Sequence, residues 1–377
     1  MNFAQAKLNN VFNIHKDITR SHTLPGSFYK DRKVFSDCRE HLFKKSWQLI
    51  GHEADVRVPG CASPMQLLEG FIDEPLLLTR DNDDQLHCLS NICTHRGNLL
   101  VDGNCQLKNI TCSYHGRKFA MDGSFLQMPE TKGMKDFPTE RDNLPKVPFH
   151  KWKNFLFASL TPSIDFTEWI SPVEERLGWL PIEDFRFDAS KSREYMVKAN
   201  WALYCDNYLE GFHIPFVHKS LSQELDYGDY NYELFPYANL QLGIAKDGDS
   251  NFELPKDSPD YGKEIAAYYF WLFPNLMLNF YPWGLSVNVV KPLEPELTKV
   301  VFQTYIWDES KLGRGAGAGL DRVEREDEHI VEQVQKGVRS HFYESGRFSP
   351  KMERGVHHFH RLINGFLNTN NELGNDD

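Results

Sequence analysis

Two short motifs in the first half of the chain carry side chains that bind metals. The first is Cys93-x-His95, and the second, Cys112-x-x-His115, follows after sixteen intervening residues. Each motif offers one thiolate and one imidazole, so the pair could hold one metal centre with mixed sulfur and nitrogen ligands. We call these motifs the two hooks.

Two kinds of metal centre fit the hooks: a structural zinc ion and a Rieske [2Fe–2S] cluster. Zinc fingers usually group cysteine with cysteine and histidine with histidine, whereas each hook here carries one of each. A Rieske cluster needs two cysteines on one iron and two histidines on the other. The pattern therefore favours the Rieske cluster, with zinc as the alternative.

A second group of possible ligands lies in residues 206–218. It contains His213 and His218, and Pro215 between them is expected to break a helix and to re-aim His218. Two histidines and one carboxylate are the ligand set of mononuclear iron(II) sites that activate dioxygen. Two unrelated histidines are the alternative, and the acidic residues nearby together with the two hooks favour iron.

The carboxylate ligand is expected on a predicted helix from residue 320 to about 344. Its predicted buried stripe consists of Val323, Ile330, Val331, Val334, Val338 and Phe342. Asp327 falls on this stripe, and a metal would offset the desolvation of a buried carboxylate. The competing acids, some of them expected on a solvated face, are Glu324, Glu326 and Glu328.

Glu210 and Asn207 precede His213 by one and two turns of a helix predicted near residues 201–213. Beside an iron ligand, Glu210 could accept a hydrogen bond from the imidazole and couple the two metal centres; the alternative is a surface acid. Asn207 would line the side that faces oxygen.

Composition limits the other possibilities. The 377 residues are 41% hydrophobic and 25% charged, with a net charge of −11. This acidity argues against nucleic acids and anionic membranes as partners, and no segment has the length and apolarity of a signal peptide or a membrane span. The five cysteines outside the hooks indicate reduced thiols of a cytoplasmic protein.

The pattern of elements predicts an α+β protein. We expect an N-terminal helical segment at residues 1–44 that packs on the catalytic domain, a small all-β domain at 45–165 and a catalytic domain at 166–377. Strands are predicted at 267–273, 276–281, 285–290 and 300–307, and a surface loop at 246–262. The glycine-rich run 313–319 lacks a βαβ context, so we interpret it as a connector rather than a nicotinamide site.

The order of these motifs resembles the catalytic α subunit of Rieske non-haem iron oxygenases over essentially the whole chain. The resemblance implies that Cys93, His95, Cys112 and His115 bind the [2Fe–2S] cluster, and that His213, His218 and Asp327 bind iron(II). It also implies a helix-grip catalytic domain, in which a curved antiparallel sheet wraps around a helix. Glu210 matches the acid that bridges the cluster of one subunit to the iron of its neighbour.

The same resemblance implies cofactors and partners. Dioxygen is the co-substrate, and electrons from NAD(P)H arrive only through a separate flavin or iron–sulfur reductase. A homotrimer is expected, because the two centres within one subunit lie too far apart for efficient transfer. One departure is Arg117, where many members have tryptophan, and this change is expected to alter cluster exposure or the reductase contact without touching a ligand.

Within the family, segment 273–279 and the C-terminal run Gly355-Val-His357-His358-Phe-His360 look most like the choline and glycine-betaine monooxygenase branch. A small quaternary ammonium substrate would favour an aromatic cage. The candidate cage residues are Tyr204, Phe212, Phe270, Trp271, Phe280, Tyr281 and Trp283. Two alternatives remain: an aromatic-ring-hydroxylating dioxygenase α subunit and a non-catalytic Rieske electron-transfer protein.

Overall fold

The computed structural model describes residues 12–218, 232–245, 250–313 and 320–368. The chain divides into two compact units, one of Lys44–Phe166 and one of Met1–Phe43 with Thr167–Asp377. No helix within the described residues is both long enough and apolar enough to cross a membrane.

The unit Lys44–Phe166, all of it described, is built from small antiparallel sheets. A four-stranded sheet has the order β4-β3-β2-β5, and two three-stranded sheets have the orders β1-β10-β9 and β6-β7-β8. The strands are β1 Gln48–His52, β2 Cys61–Leu67, β3 Glu74–Arg80, β4 Leu86–Ser90, β5 Cys105–Gln106, β6 Ile110–Thr111, β7 Lys118–Phe119, β8 Phe125–Gln127, β9 Phe149–Trp152 and β10 Phe155–Ala158.

Both hooks lie in turns of this unit, as the sequence predicted. The first follows β4, and the second joins β6 to β7. The Asp122-Gly123 turn, also predicted, joins β7 to β8, and Gly123 has a φ of +87° that a side chain would rarely adopt. The cysteines Cys93 and Cys112 are part of an apolar core with Leu77, Leu89 and Phe119, so this core anchors one end of each hook.

In the described part of the other unit, strands form one eight-stranded antiparallel sheet. Its order is β11-β18-β17-β16-β15-β14-β13, with β12 also paired to β18. The strands are β11 Arg186–Phe187, β12 Arg193–Val197, β13 Tyr232–Phe235, β14 Ala238–Ile244, β15 Ile265–Leu272, β16 Leu276–Tyr281, β17 Gly284–Glu294 and β18 Leu297–Ile306. The structure therefore confirms the α+β class, and β16 has the predicted bounds.

Helices cover both faces of this sheet. The described helices are α1 Arg32–His41, α2 Phe166–Leu177, α3 Trp201–Tyr208, α4 Ile214–Val217, α5 Leu320–Gly337 and α6 Arg354–Asn368. On one face, the Tyr208 hydroxyl of α3 donates to Asn279 Oδ1 at 2.6 Å. On the other face, Arg176 of α2 and Tyr268 of β15 both donate to Asp260 Oδ2, at 2.9 and 3.1 Å.

The C-terminal helix α6 packs on α3, and its histidines take part in this packing. His360 Nε2 lies 2.8 Å from Asp206 Oδ1, and its Nδ1 accepts from the backbone N–H of Leu24 at 3.0 Å. Tyr29 donates its hydroxyl to the other oxygen of Asp206 at 2.9 Å. These buried hydrogen bonds explain why α6 carries histidines on an otherwise apolar face.

Several predicted element boundaries are wrong. The helix expected at 201–213 ends at Tyr208, and Pro215 lies in the first turn of α4, where proline begins a helix rather than breaking one. The N-terminal segment is helical only from Arg32; residues 12–31 are irregular chain and turns with one β-bridge, from His22 to Arg347, and residues 1–11 lie outside the described part.

The long C-terminal helix also differs from its prediction. It ends at Gly337, not near 344, so the helical spacing used to predict the buried stripe does not apply to later residues. Two residues of the predicted stripe are exposed, Phe342 at 96% and Val334 at 44%. Gln335 is buried instead, because its side-chain oxygen accepts from the backbone N–H of Asn200 at 2.8 Å. Residues 250–262 form turns, as expected for a loop, whereas 246–249 and 314–319 lie outside the described residues.

Candidate metal centres and active site

Three side chains expected to bind iron lie together in the larger unit. Asp327 Oδ1 of α5 lies 3.0 Å from His218 Nε2 and 3.3 Å from His213 Nε2. One ligand atom from each residue lies within 4.8 Å of the other two. The two histidines flank the four-residue helix α4, at its N-terminal and C-terminal ends, so this short helix sets the spacing between them.

A carboxylate also holds the other ring nitrogen of each histidine. His213 Nδ1 lies 2.6 Å from Glu210 Oε1, and His218 Nδ1 lies 2.8 Å from Glu326 Oε2. When the proton is on Nδ1 of each ring, each Nε2 has a lone pair that can bind a metal on the side facing Asp327. Metal-binding histidines commonly have this kind of outer partner, which fixes the tautomer and the orientation of the ring.

The electrostatics of the triad suit a cation. Burial alone would lower the pKa of His213, but hydrogen bonds to Asp327 and Glu210 outweigh it and raise the pKa to about 9. Burial would raise the pKa of Asp327, yet the two histidines hold it below its ordinary value. A bound divalent metal would take the place of this shared proton, so the donor set fits the two-histidine, one-carboxylate site of non-haem iron.

Glu210 reaches His213 from a loop. Because α3 ends at Tyr208, Glu210 is not one helical turn from His213 as expected; the loop itself folds the carboxylate back. Its Oε2 accepts from the backbone N–H of His213 at 3.0 Å and from that of Phe212. Asn207 is partly buried in the last turn of α3, and its expected place beside the oxygen-facing side stays a prediction.

Sequence analysis missed the role of Glu326, which it treated only as a competitor of Asp327. Glu326 also accepts from Arg322 Nε at 3.0 Å, one turn earlier on α5. Adjacent residues on a helix point about 100° apart, so Asp327 can face both Nε2 atoms while Glu326 reaches Nδ1 of His218. The signal in the sequence was the acidic pair itself: one acid faces both Nε2 atoms, and its neighbour holds Nδ1 of His218.

The two hooks have matching turns. In each, a glycine four residues after the cysteine donates its backbone N–H to the cysteine carbonyl at 3.0 Å, Gly97 to Cys93 and Gly116 to Cys112. Both glycines have positive φ, +70° and +69°, which a residue with a side chain rarely adopts. This repeated Cys-to-Gly spacing was visible in the sequence and would have strengthened the prediction of paired hooks.

The hook side chains fit a [2Fe–2S] cluster. The rings of His95 and His115 lie 4.7 Å apart between centroids, and both cysteines are 2% exposed. The buried Nδ1 of His95 has no hydrogen-bond partner among the described residues, an unusual state that a metal ligand explains. Burial would raise the pKa of Cys112, but the backbone N–H groups of Tyr114 and His115 lower it and favour the thiolate.

A cavity of about 430 Å³ lies on the face of the sheet that α3 covers. It is bounded by Lys191, Arg193, Tyr195, Trp283, Ser286, Phe302, Thr304, Leu312, Gly313, Asp321 and Glu324. Glu324 precedes Asp327 by one turn of α5, so the two carboxylates lie on the same side of the helix. The cavity therefore has acids and aromatic rings in its wall, close to the expected iron.

The predicted cage residues separate into groups. Trp283 lines the cavity and stacks on Tyr281 at 5.0 Å, and Tyr204 donates to Glu324 Oε2 at 2.6 Å. Trp271 instead packs against Phe359 of α6 at 5.1 Å. Phe212 is 44% exposed.

Phe270 and Phe280 lie on the opposite face of the sheet. They alternate along their strands with Tyr269 and Asn279, which point toward α3, so the predicted contact of both with substrate does not fit the geometry. Tyr195 and Phe302, whose rings lie 5.5 Å apart, line the cavity instead.

Two family models match the chain. The Rieske [2Fe-2S] domain matches residues 46–138, and the ring hydroxylating alpha subunit (catalytic domain) matches residues 182–368. The chain belongs to the Rieske non-haem iron oxygenases. This confirms the resemblance drawn from the motifs, and with it an enzyme that uses a Rieske cluster, mononuclear iron, dioxygen and electrons from a reductase. The zinc alternative and the non-catalytic electron carrier are thereby excluded.

Relatives of this oxygenase act on quaternary ammonium compounds. It is 29% identical to the chloroplastic choline monooxygenase of Arabidopsis thaliana, over 95% of this chain and 86% of that protein. It is 28% identical to the carnitine monooxygenase oxygenase subunit of Escherichia coli K12, over 90% and 92%. A solved quaternary ammonium Rieske monooxygenase, described with inter-subunit electron transfer, superposes with a TM-score of 0.73 at 23% identity, over 93% and 96%, and shares the fold.

Proposed function

We propose that this oxygenase hydroxylates or N-demethylates a small quaternary ammonium compound of the betaine or choline type. The observation that carries the proposal is the cavity beside the triad, whose wall combines the rings of Tyr195, Trp283 and Phe302 with the carboxyl groups of Asp321 and Glu324. Aromatic faces and carboxylates both attract a trimethylammonium group, which cannot donate hydrogen bonds.

Glu324 supports this proposal most strongly. Burial, and then the nearby Asp327 carboxylate, raise the pKa of Glu324 to about 8. A cationic substrate beside Glu324 would stabilise its carboxylate and offset the desolvation that raises the pKa. An uncharged arene would leave this pKa raised and would gain nothing from the carboxyl group.

The ligand assignments are part of the proposal. Iron(II) would be held by His213, His218 and Asp327, and the cluster by Cys93, His95, Cys112 and His115. When bound, iron(II) supplies open coordination positions for dioxygen, and the cluster supplies single electrons. The protein's own part is to orient both imidazoles through Glu210 and Glu326 and to hold the substrate against Trp283 and Glu324.

The assembly and its electron supply follow from the same proposal. We expect a homotrimer in which Glu210 connects the iron to the cluster of a neighbouring subunit, supplied by a flavin or iron–sulfur reductase. The relative described with inter-subunit electron transfer supports this route. A cytoplasmic location stays a prediction, and the Arabidopsis relative is a chloroplast protein.

An aromatic-ring dioxygenase is the competing function, because ring hydroxylation uses the same fold. An uncharged arene gains nothing from charged groups in the cavity wall, whereas a cation gains from the acids among them. Here Asp321 and Glu324 are in the wall, and Lys191 and Arg193 add two basic residues to the same lining. The carboxyl group of Glu324, one turn from Asp327, therefore favours the quaternary ammonium substrate.

Replacing Glu324 with glutamine tests the cavity. Glu324→Gln keeps an oxygen that can accept from Tyr204 but removes the carboxylate that a bound cation would stabilise, so we expect the Kd of choline or carnitine to rise about tenfold. The measurement is equilibrium binding to iron-loaded protein, followed by the spectrum of the iron site. Iron content should be unchanged.

Two controls accompany this variant. Glu332→Gln changes an acid two turns farther along α5, outside the cavity wall, keeps an oxygen for the Lys198 N–H and should leave the Kd unchanged. The uncharged carbon isostere of choline, 3,3-dimethylbutanol, should bind the wild type and Glu324→Gln equally. If the isostere loses affinity as much as choline does, Glu324 acts through cavity shape and not through charge, and the proposal loses its main support.

A further inference from the structure

Arg117 is a buried cation next to the second hook. It is 3% exposed, and its backbone oxygen accepts from the N–H of Cys112 at 2.8 Å. Because the side chain is buried, its expected effect on the reductase contact would be indirect. A buried guanidinium carries a large desolvation cost, which only good partners offset. Its position beside a cluster ligand therefore requires an explanation.

The partners of Arg117 are one carboxylate and a set of rings. Arg117 Nη2 donates to Asp142 Oδ1 at 2.5 Å. Its guanidinium carbon lies 4.8, 5.6 and 5.7 Å from the ring centroids of Phe125, Phe137 and Phe119. Its Nε is buried and has no hydrogen-bond partner among the described residues. The positive charge thus lies among aromatic rings, and the guanidinium has fewer hydrogen-bond partners than it has N–H groups.

Asp142 also contacts the first hook. Its backbone oxygen accepts from Thr94 Oγ1 at 2.9 Å and from Arg117 Nη2 at 3.2 Å. Arg117 and Asp142 therefore form a charge pair that touches both hooks. A charge in such a low-dielectric region acts more strongly on its neighbours than a charge in water.

The field of Arg117 reaches the proposed ligands. Arg117 follows His115 by two residues, and its backbone oxygen accepts from the N–H of Cys112, the other proposed ligand of this hook. Arg96 follows His95 in the first hook but is exposed, so water and salt screen it, whereas Arg117 is shielded from both. An Fe–S cluster gains one negative charge when it accepts an electron, and nearby charge is one of the factors that set its potential.

We propose that Arg117 raises the reduction potential of the Rieske cluster and that Asp142 limits the rise. One electron enters the cluster from the reductase, and the buried cation stabilises the more negative, reduced form. Arg117 thus acts on the cluster through its positive charge and is not a ligand. The proposal rests on the hooks binding the cluster, as proposed above.

The test is a redox titration of the full-length, cluster-loaded protein, followed by the visible circular dichroism of the cluster. In Arg117→Met, we expect the equilibrium constant for reduction to fall about tenfold, which is about 59 mV for a one-electron couple. Asp142→Asn removes the negative charge, keeps one side-chain oxygen that can accept from Arg117, and should shift the potential upward. The double variant should return close to the wild-type value.

Arg96→Met is the matched control, since it removes an exposed cation from the first hook. Its shift should be smaller and should vanish at high salt, while that of Arg117→Met persists. An Arg117→Met protein with an intact cluster and an unchanged potential would overturn the proposal, and so would a downward shift in Asp142→Asn. If Arg117→Met fails to assemble its cluster, the reduction potential of Asp142→Asn tests the proposal by itself. A wild-type protein that binds no cluster would instead overturn the hook assignment.

Discussion

His218→Ala is expected to remove the mononuclear iron and to leave the Rieske cluster in place. His218 is 1% exposed, and its Nε2 lies 3.0 Å from Asp327 Oδ1, so alanine deletes one of the three proposed ligands. Metal content should fall by about one iron per chain, while the cluster spectrum stays the same. Oxygenation should fall by more than about a hundredfold, beyond the effect of changing an outer partner.

His329→Ala is the matched control for this prediction. His329 lies on α5, as Asp327 does, but it is exposed and outside the triad. It should retain full iron content and full activity. His213→Ala, at the other end of α4, provides an independent check and should lose iron as His218→Ala does. If both triad variants keep the iron of the wild type, the mononuclear site is elsewhere.

Glu210→Gln is expected to stop turnover even when iron is supplied in excess. Glu210 and Glu326 hold the Nδ1 atoms of the two iron histidines in the same way, at 2.6 and 2.8 Å. Loss of either carboxylate should weaken iron binding about 10–100-fold. Only Glu210 is proposed in addition to carry electrons from the neighbouring subunit, so the two variants should differ once iron is saturating.

The measurement is the rate at which the reduced cluster is reoxidised after substrate and dioxygen are added to iron-saturated protein. Glu326→Gln should recover most of the wild-type rate, whereas Glu210→Gln should stay more than about a hundredfold slower. The comparison separates a positioning role from an electron-transfer role. Equal recovery of both variants would restrict Glu210 to holding His213.

The sequence was most informative where the chemistry is local. The hooks, the pair His213 and His218, and the acidic run around Asp327 each occupy a few consecutive residues, so their spacing and their combination in one chain indicate their chemistry. In the structure, one possible ligand atom from each of His213, His218 and Asp327 lies within 4.8 Å of the other two. The family, the fold class and the cofactors follow from the same short motifs.

The cavity could not be predicted in this way. Its wall takes Tyr195 from β12, Trp283 from the β16–β17 turn, Phe302 from β18 and Glu324 from α5. Their proximity depends on sheet register and on the packing of α5, neither of which a local pattern contains. For the same reason Phe270 and Phe280 were chosen by residue type, although strand alternation places them on the far face of the sheet.

The ends and the buried faces of the helices were also predicted poorly from the sequence. Residues 201–213 have helical spacing throughout, but the chain leaves the helix at Leu209 so that Glu210 can return to His213. In α5, Val334 fits the apolar stripe and is nevertheless exposed, while Gln335 is buried because it finds a backbone partner at Asn200. A local hydrogen bond accompanies the helix end in the first case, and a tertiary hydrogen bond explains the burial in the second.

The central claim is tested most directly by single-turnover oxygenation. Protein loaded with cluster and iron is reduced chemically, mixed with dioxygen and one compound from a panel of choline, glycine betaine, carnitine and simple arenes, and its products are identified by mass spectrometry. We expect hydroxylated or demethylated product from at least one quaternary ammonium compound, in proportion to the electrons supplied, and none from the arenes. Product from an arene alone would contradict the proposed function.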